Sequence, residues 1–312
     1  MNPTAQHGTP AGDATLAIQA LARKTGANVQ ELLTLYALEA LLERISRSPE
    51  ADDFVLKGGV LLAAFEARRT TQDIDLQLTG IARQAEVVAE KIQAIARIEV
   101  DDGVAFEQDS MVASVIRDSE SYAGVRVKLT ARLGRARLFV GIDVNFGDPI
   151  WPEPQRVQIP RLVPLGQPPL EILGYPVVMV LAEKISTVME RGLVNSRWRD
   201  FADIYVLSRR QGIDAGELRR ALGVVTEYRD VRILTVFPLL NGMQTSAQTH
   251  WMAWRFRTSR TTDLPESFAE VLDALSAFVD PLLSSDVGGT WDPVGGHWTN
   301  QDLDKYPPTP RI

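Results

Sequence analysis

The residues best suited to chemistry lie in one segment, KGGVLLAAFEARRTTQDIDLQL, which spans 57–78. Asp73 and Asp75 alternate with apolar residues over 73–78, a pattern typical of a half-buried strand with both carboxylates on one face. Alternate residues of a strand lie roughly 7 Å apart, so these two carboxylates could hold a pair of divalent cations. Phosphoryl and nucleotidyl transfer use such pairs of cations. The simpler interpretation is a solvated edge strand.

Further residues could complete a site of this kind. Gly58 and Gly59 precede a short helical segment at 61–65, and backbone N–H groups at a helix start can bind phosphate. Asp143, on the polar side of a later predicted strand, is the candidate third carboxylate, and Asp148 competes with it. Ligand sets made only of oxygen favour Mg²⁺ or Mn²⁺. Taken singly these signals are weak, because a glycine pair before a helix is more often only a turn.

Hydrophobic periodicity predicts the elements that must position these residues. The segments with helical spacing are 14–48 (with a break at 26–28), 82–98, 176–191, 198–210, 214–222, 248–258 and 265–283. Alternation predicts two further strands, 125–133 and 138–144, joined by a turn at Gly134. Prolines crowd residues 149–169 and predict a linker or wrapping loop.

These patterns together predict an α/β (α+β) fold with two modules. Residues 1–165 would hold the N-terminal helices and a mixed sheet that carries the site, and residues 166–312 would form a helical C-terminal module with an irregular tail. No apolar run reaches 18 residues and no signal peptide pattern is visible, so no membrane contact is expected. The absence of cysteine fits a reducing compartment, and a cytoplasmic location is expected.

Charge is distributed unevenly along the chain. The net charge of −7 argues against a protein that binds nucleic acid over its whole surface. One face of the predicted hairpin nevertheless carries Arg126, Lys128 and Arg132, which could contact RNA or simply be solvated. Motifs of P-loop, Rossmann, zinc-protease and serine-hydrolase enzymes are missing from the sequence.

Four segments, in this order, resemble one family of toxins: YALEALLERISRSPEADDFVLKGGVLLAAF, RRTTQDIDL, IDVNFGD and LAEKISTVMERGLVNSRWRDFADIY. The glycine pair and D-x-D resemble the signature of the DNA polymerase β-type nucleotidyltransferase superfamily. The four segments together resemble the AbiE-type (AbiEii) nucleotidyltransferase toxins of type IV toxin–antitoxin systems, which include mycobacterial members. The similarity covers roughly residues 30–210.

The resemblance implies a role for each matched residue. The implied catalytic residues are Asp73, Asp75, Lys184, Asp200 and Asp203. The implied nucleotide-binding residues are Gly58, Gly59, Thr71, Lys184 and Arg191, and the implied metal ligands are Asp73, Asp75 and Asp143. The second glycine departs from the serine common in the wider superfamily, which removes a hydroxyl contact to phosphate.

Simpler interpretations exist for the residues of the C-terminal half. Lys184 would ordinarily be a solvated lysine, although Arg191, seven residues on, shares its helical face and could form a cationic stripe with it. Asp200 and Asp203 could cap a helix that begins near residue 198. Asp203 could also pair with Arg199.

The resemblance implies an enzyme, a Mg²⁺-dependent nucleotidyltransferase. It would transfer a nucleoside monophosphate, expected to be a pyrimidine, from a nucleoside triphosphate such as ATP or CTP to the 3′ acceptor end of tRNA. Aminoacylation and translation would stop, and a cognate antitoxin protein would control the toxin. Two alternatives are a protein side chain or small molecule, such as an aminoglycoside, as the acceptor, and an interaction module without turnover. The basic clusters count against a cationic drug.

Overall fold

The computed structural model describes residues 7–79, 84–119, 122–232, 235–284 and 287–299. The chain divides into two compact units. The first unit is drawn from Met1–Ala64, Arg68–Asp148 and Pro154–Tyr175, and the second from Phe65–Ala67, Pro149–Glu153 and Pro176–Ile312.

The first unit is a mixed sheet with helices. Its helices are α1 (Pro10–Thr25), α2 (Val29–Ser46), the single-turn α3 (Gly58–Leu61) and α4 (Ala85–Ala96). Its strands are β1 (Phe54–Lys57), β2 (Asp73–Leu78), β3 (Val104–Ser119), β4 (Tyr122–Leu133), β5 (Ala136–Phe146), β6 (Gln155–Ile159) and β7 (Leu170–Gly174). Across the described residues they form a seven-stranded sheet in the order β3-β4-β5-β2-β1-β7-β6. Strand β2 runs antiparallel to β1 and parallel to β5, so the predicted mixed sheet is confirmed.

Helix α2 provides much of the apolar core beneath this sheet. Asn28 caps its first turn by accepting hydrogen bonds from the N–H groups of Gln30 and Glu31. Leu38 and Leu41 are fully buried, and the helix packs against β5 and β7. Burying each such leucine stabilises the fold by about 1.5–3 kcal/mol. The apolar side of the alternating strands therefore faces these helices.

Strand β6 corrects one prediction. Residues 149–169 were expected to form a linker or loop, but Gln155–Ile159 pairs antiparallel with β7 at the edge of the sheet. Pro154 and Pro160 flank the strand. Proline is tolerated at sheet edges because the N–H group that it lacks would face solvent there and would not pair with a neighbouring strand. The boundary expected after residue 165 falls between β6 and β7, and both strands belong to the first unit's sheet.

The second unit is mainly helical. Its helices are α5 (Val177–Arg191), α6 (Trp198–Ser208), α7 (Ala215–Arg229), the single-turn α8 (Val236–Leu239) and α9 (Met243–Ser246), α10 (Gln248–Arg257) and α11 (Phe268–Leu283). A small sheet contains β8 (Ile213–Asp214), β9 (Thr290–Asp292) and β10 (His297–Thr299). The fully buried rings of Phe201, Trp251 and Phe268 form its aromatic core. In the part of the chain that the structure describes, no helix combines the length and apolar character needed to cross a membrane.

Candidate active site

Four charged side chains line up across the centre of the first unit's sheet. The strand register pairs Lys57 of β1 with Asp75 of β2, and Asp75 with Asp143 of β5. On the far side, Asp143 pairs with Arg126 of β4. Residues that pair directly across neighbouring strands point to the same face of the sheet. The two central acids are therefore flanked by one base on each side.

Both acids of the D-x-D pair lie against glycines. A Cβ atom at Gly58 would come 1.8 Å from Oδ2 of Asp75, and a Cβ atom at Gly141 would come 2.0 Å from Oδ1 of Asp73. Gly58 also has a φ of 68°, in the left-handed region that favours glycine. A larger residue at either position would displace a carboxylate. Positions 58 and 141 therefore require glycine, and the sequence analysis singled out only the first of them.

Thr71 lies beside the second glycine of the turn. A Cβ atom at Gly59 would come 2.9 Å from Oγ1 of Thr71 and 3.0 Å from Nη1 of Arg69, so a serine at position 59 would require its neighbours to move. The Thr71 hydroxyl donates weakly to the carbonyl oxygen of Asp73, at 3.4 Å. A hydroxyl group therefore stands beside the turn although residue 59 is not serine.

The carboxyl group of Asp75 is in an unfavourable place for a negative charge. Burial raises its pKa above the ordinary value, and the nearby charge of Asp143 raises it further. The Lys57 ammonium, a hydrogen bond from the Gly59 N–H group and the Arg69 guanidinium act in the opposite direction. Two neighbouring acids in this position favour a bound cation, because a cation offsets both the burial and the repulsion.

Asp143, the predicted third metal ligand, is held by Arg126. Nε of Arg126 donates to Oδ1 of Asp143 at 2.6 Å, and Nη2 donates to Oδ2 at 2.5 Å. Such a bidentate pair is among the stronger hydrogen-bonded arrangements in proteins. Arg126 was predicted to bind RNA, and 40% of its side chain is exposed. The metal-binding role of Asp143 and the RNA-binding role of Arg126 both stay predictions, because in this structure the two side chains bind each other.

Lys57 is a residue of this site that the sequence analysis did not assign. It ends the buried strand β1, and only 9% of its side chain is exposed. Its Nζ lies 3.0 Å from Oδ2 of Asp148 and 5.4 Å from the ring centroid of Tyr175. Asp148, the competing candidate for the third ligand, is thus an ion-pair partner of Lys57. The available signal was a lysine at the end of an apolar strand, since buried lysines need partners.

In the second unit, the predicted catalytic residues Lys184, Asp200 and Asp203 form one ion cluster. Nζ of Lys184 lies 3.2 Å from Oδ1 of Asp200 and 2.7 Å from Oδ2 of Asp203. Nε of Arg197 lies 2.7 Å from Oδ2 of Asp200, and Nη1 of Arg260 lies 3.6 Å from Oδ1 of Asp203. The side chains of Asp200 and Asp203 are 3% and 1% exposed. Lys184 is therefore no solvated lysine.

The remaining predicted residues are on the surface. Arg191 lies in the last turn of α5 and is exposed. Lys128 and Arg132 are exposed on the same face of β4 as Arg126, and Arg132 forms an ion pair with Glu107 of β3. Arg260, by contrast, is buried within the ion cluster, and nothing in its sequence neighbourhood indicated this.

The D-x-D pair fits a hard divalent cation. Its donors are carboxylate oxygens, which Mg²⁺ and Mn²⁺ prefer, and the raised pKa of Asp75 reflects a carboxylate that gains from a cation beside it. Within the described ranges, no three His, Asp or Glu side chains form a group that could hold a metal ion. Asp73 and Asp75 thus offer a pair of carboxylates, and their role as metal ligands, with or without Asp143, stays a prediction.

A glycine turn packed against a carboxylate pair on the neighbouring strand of a mixed sheet is the arrangement expected of a nucleotidyltransferase. The family described as "Nucleotidyl transferase AbiEii toxin, Type IV TA system" matches residues 40–277, and the chain belongs to this family. The predicted family and enzyme class are thereby confirmed. Membership implies a nucleotide substrate and an antitoxin partner.

The chain is also similar to solved structures at low sequence identity, and the first of them has the same fold. JHP933 from Helicobacter pylori is 10% identical, with 82% of this chain and 93% of that chain covered and a TM-score of 0.50. A candidate nucleotidyltransferase from H. pylori is 11% identical, with coverage of 83% and 97% and a TM-score of 0.45. A comparison with curated proteins finds no match.

Proposed function

We propose that this chain transfers a nucleoside monophosphate from a nucleoside triphosphate to the 3′ end of an RNA, with the tRNA acceptor end as the expected target. One observation carries the proposal: the Gly58–Gly59 turn lies against Asp75, and Asp73 occupies the same strand face. A phosphate chain and a cation can therefore bind side by side. The basic face of β4 on the same sheet supports a polyanionic acceptor.

The transfer is a single displacement at the α-phosphorus. The RNA 3′ hydroxyl attacks that phosphorus and forms a new P–O ester bond, the α–β phosphoanhydride bond breaks, pyrophosphate leaves, and the hydroxyl proton passes to water. The N–H group of Gly58 and the hydroxyl of Thr71 would bind the phosphate chain, and the predicted contact of Gly59 would be a close approach of its backbone, because its N–H group donates to Asp75. Asp73 and Asp75 would hold Mg²⁺ or Mn²⁺, and such an ion would neutralise charge on the phosphates.

Lys184 is assigned to the triphosphate by the resemblance, and that role stays a prediction. The carboxylates of Asp200 and Asp203 both form ion pairs with the Lys184 ammonium, so they would fix the orientation of that side chain. We therefore assign these two acids a positioning role. Arg191 is exposed, and its contact with the nucleotide also stays a prediction.

The expected consequence is arrest of translation. A tRNA with a modified acceptor end cannot be aminoacylated, and the antitoxin that family membership implies would restrain the enzyme. A pyrimidine is the expected nucleotide, and incubation with each nucleoside triphosphate in turn tests that expectation.

Incubation of the purified protein with total tRNA, Mg²⁺ and each labelled nucleoside triphosphate in turn tests the proposal. We expect label on RNA, and none when EDTA replaces Mg²⁺ or when Asp73→Ala replaces the wild type. A second incubation with cell lysate, separated into RNA, protein and small-molecule fractions, tests the alternative acceptors. Label on protein or on an aminoglycoside, with none on RNA, would overturn the RNA assignment.

A further inference from the structure

The sheet face that carries Asp73 and Asp75 continues onto β5 and β4 and presents an exposed aromatic ring there. Phe139 of β5 is 73% exposed. It lies two residues before Gly141, which pairs with Asp73 in the strand register, so Phe139 and Asp73 share one face. Strand spacing places their Cα atoms about 8 Å apart. Phe139 is therefore an exposed ring on the same sheet face as the carboxylate pair, where it could contact a substrate bound beside that pair.

Basic side chains surround this ring. The Arg137 guanidinium lies 5.9 Å from the ring centroid of Phe139. Arg132 and Arg137 stand directly opposite each other in the register, a like-charge pairing that is unfavourable unless an anion lies between them, and Glu107 contacts both. Lys128, which pairs with Gly141, is exposed and forms no ion pair within the described residues. The surface complements a polyanion that also offers flat apolar groups.

The chemistry of the transfer decides which substrate lies here. In a displacement at phosphorus, the attacking oxygen and the leaving pyrophosphate are on opposite sides of the phosphorus atom. The proposed function places the phosphate chain at Gly58–Gly59, which follows β1, and β1 borders β2 on one side. Strand β5, with Phe139, borders β2 on the other side. The acceptor would therefore approach over β5, whereas the triphosphate would lie on the β1 side of β2.

We propose that Phe139 stacks on the terminal base of the acceptor RNA and that Lys128 binds the adjacent phosphate. The inference rests on the proposed function, because it takes the acceptor to be an RNA 3′ end. An aromatic side chain stacks on any base, since every base has a π face, so this contact positions the 3′ hydroxyl without selecting a sequence. Loss of one such stack lowers affinity by about 5- to 100-fold.

A 12-nucleotide single-stranded RNA with 2-aminopurine at its 3′ terminus tests the contact without turnover. We expect wild type and Phe139→Trp to quench the fluorescence of the probe, and Phe139→Ala and Phe139→Leu to bind at least 5-fold more weakly with little quenching. Leucine keeps an apolar side chain but has no ring, so it separates stacking from hydrophobic contact. Equal binding and equal quenching by Phe139→Ala would overturn the proposal.

Steady-state transfer supplies the second measurement and its control. We expect Phe139→Ala to raise the KM for RNA at least 5-fold and to leave the KM for the nucleoside triphosphate unchanged. Phe256→Ala removes a similarly exposed ring from α10 and should change neither constant. Phe139 is mostly exposed, so its variants should melt at the temperature of the wild type.

Failure of the two proposals can be told apart. If the wild type adds nucleotide to RNA and Phe139→Ala has the same KM for RNA, the stacking proposal fails and the proposed function stands. If the wild type binds the probe through Phe139 but never extends any RNA, the proposed function fails and the binding surface stands.

Discussion

Each unit of the chain contains a cluster of acids and bases, and the two clusters differ in how their charges are matched. In the second unit, Asp200 contacts Lys184 and Arg197, and Asp203 contacts Lys184 and Arg260. Asp200 and Asp203 each have two cationic side chains beside them and are almost unexposed to water. Burial of ions is tolerated because the partners are present in the fold itself.

The first unit places two acids side by side. Asp75 stands directly beside Asp143 in the sheet, and its pKa is raised by burial and by that neighbour. Each acid has a base beside it, Lys57 for Asp75 and Arg126 for Asp143, but these bases do not offset the burial of Asp75, whose pKa stays raised. We therefore expect the matched cluster of the second unit to position side chains, and we expect Asp75 of the first unit to gain from a cation supplied from outside.

Asp75→Asn should have the largest effect on activity. It tests whether the acids of the first unit serve the reaction. We expect transfer to fall about 1000-fold, which corresponds to about 4 kcal/mol of lost transition-state stabilisation. Asp52→Asn, which removes a largely exposed acid of the same unit, should leave the rate unchanged. Initial rates with labelled nucleotide measure both, and a loss below 10-fold in Asp75→Asn would contradict the assignment.

The same variant should be more stable than the wild type in EDTA at neutral pH. Because folding raises the pKa of Asp75, this carboxyl contributes its full stabilisation below its unfolded pKa, and the contribution is lost as pH rises through its folded pKa. Asparagine removes that loss. Urea unfolding from pH 4 to 8 should show the advantage of Asp75→Asn growing with pH, and an advantage that shrinks with pH would contradict the shift.

Asp203→Ala should have the largest effect on stability. It leaves Lys184 and Arg260 buried without one of their partners, and breaking a buried ion pair costs about 3–5 kcal/mol. Urea unfolding measures the loss. In the double variant with Lys184→Met, we expect the two losses to be clearly less than additive, because the residues act as one unit. Additive losses would show that the cluster is not coupled.

Asp143→Asn and Arg126→Gln decide what the third acid does. If Asp143 serves to hold Arg126, each variant should lower transfer about 10-fold and the double variant should be no worse than either. Initial rates at saturating Mg²⁺ measure this. A loss near that of Asp75→Asn in Asp143→Asn, with Arg126→Gln nearly active, would instead make Asp143 the third metal ligand.

The sequence predicts the strand that carries the acids better than it predicts their surroundings. Strict alternation gives the strand at 73–78 with its observed bounds, because one face is polar and the other is apolar. Strand β1 was not predicted, since all four of its residues are buried and such a short apolar run has no period to detect. Lys57 was missed with it, although it is the base nearest to Asp75 in the register.

Contacts that depend on tertiary packing were also beyond the sequence. The pairing of Arg126 with Asp143 depends on the register between β4 and β5, which spacing along the chain does not fix. Arg260 reaches Asp203 across 57 positions of sequence and carries no local signal. The resemblance drew attention to Lys184, Asp200 and Asp203, but that all three form one ion cluster is visible only in the structure.

The smallest expected effect is a difference in stability between variants of the exposed base Arg197 and the buried base Arg260 of the matched cluster. Arg197 contacts Asp200 with 47% of its side chain exposed, whereas Arg260 is 9% exposed beside Asp203. Arg197→Ala should therefore cost about 0.5 kcal/mol, as exposed ion pairs do, and the cost should shrink in 1 M NaCl. Arg260→Ala should cost about 2 kcal/mol and respond little to salt, because water and ions do not reach the pair. Equal losses with equal salt dependence would mean that burial does not govern this cluster, and the contrast with the first unit would then have to rest on the neighbouring acids alone.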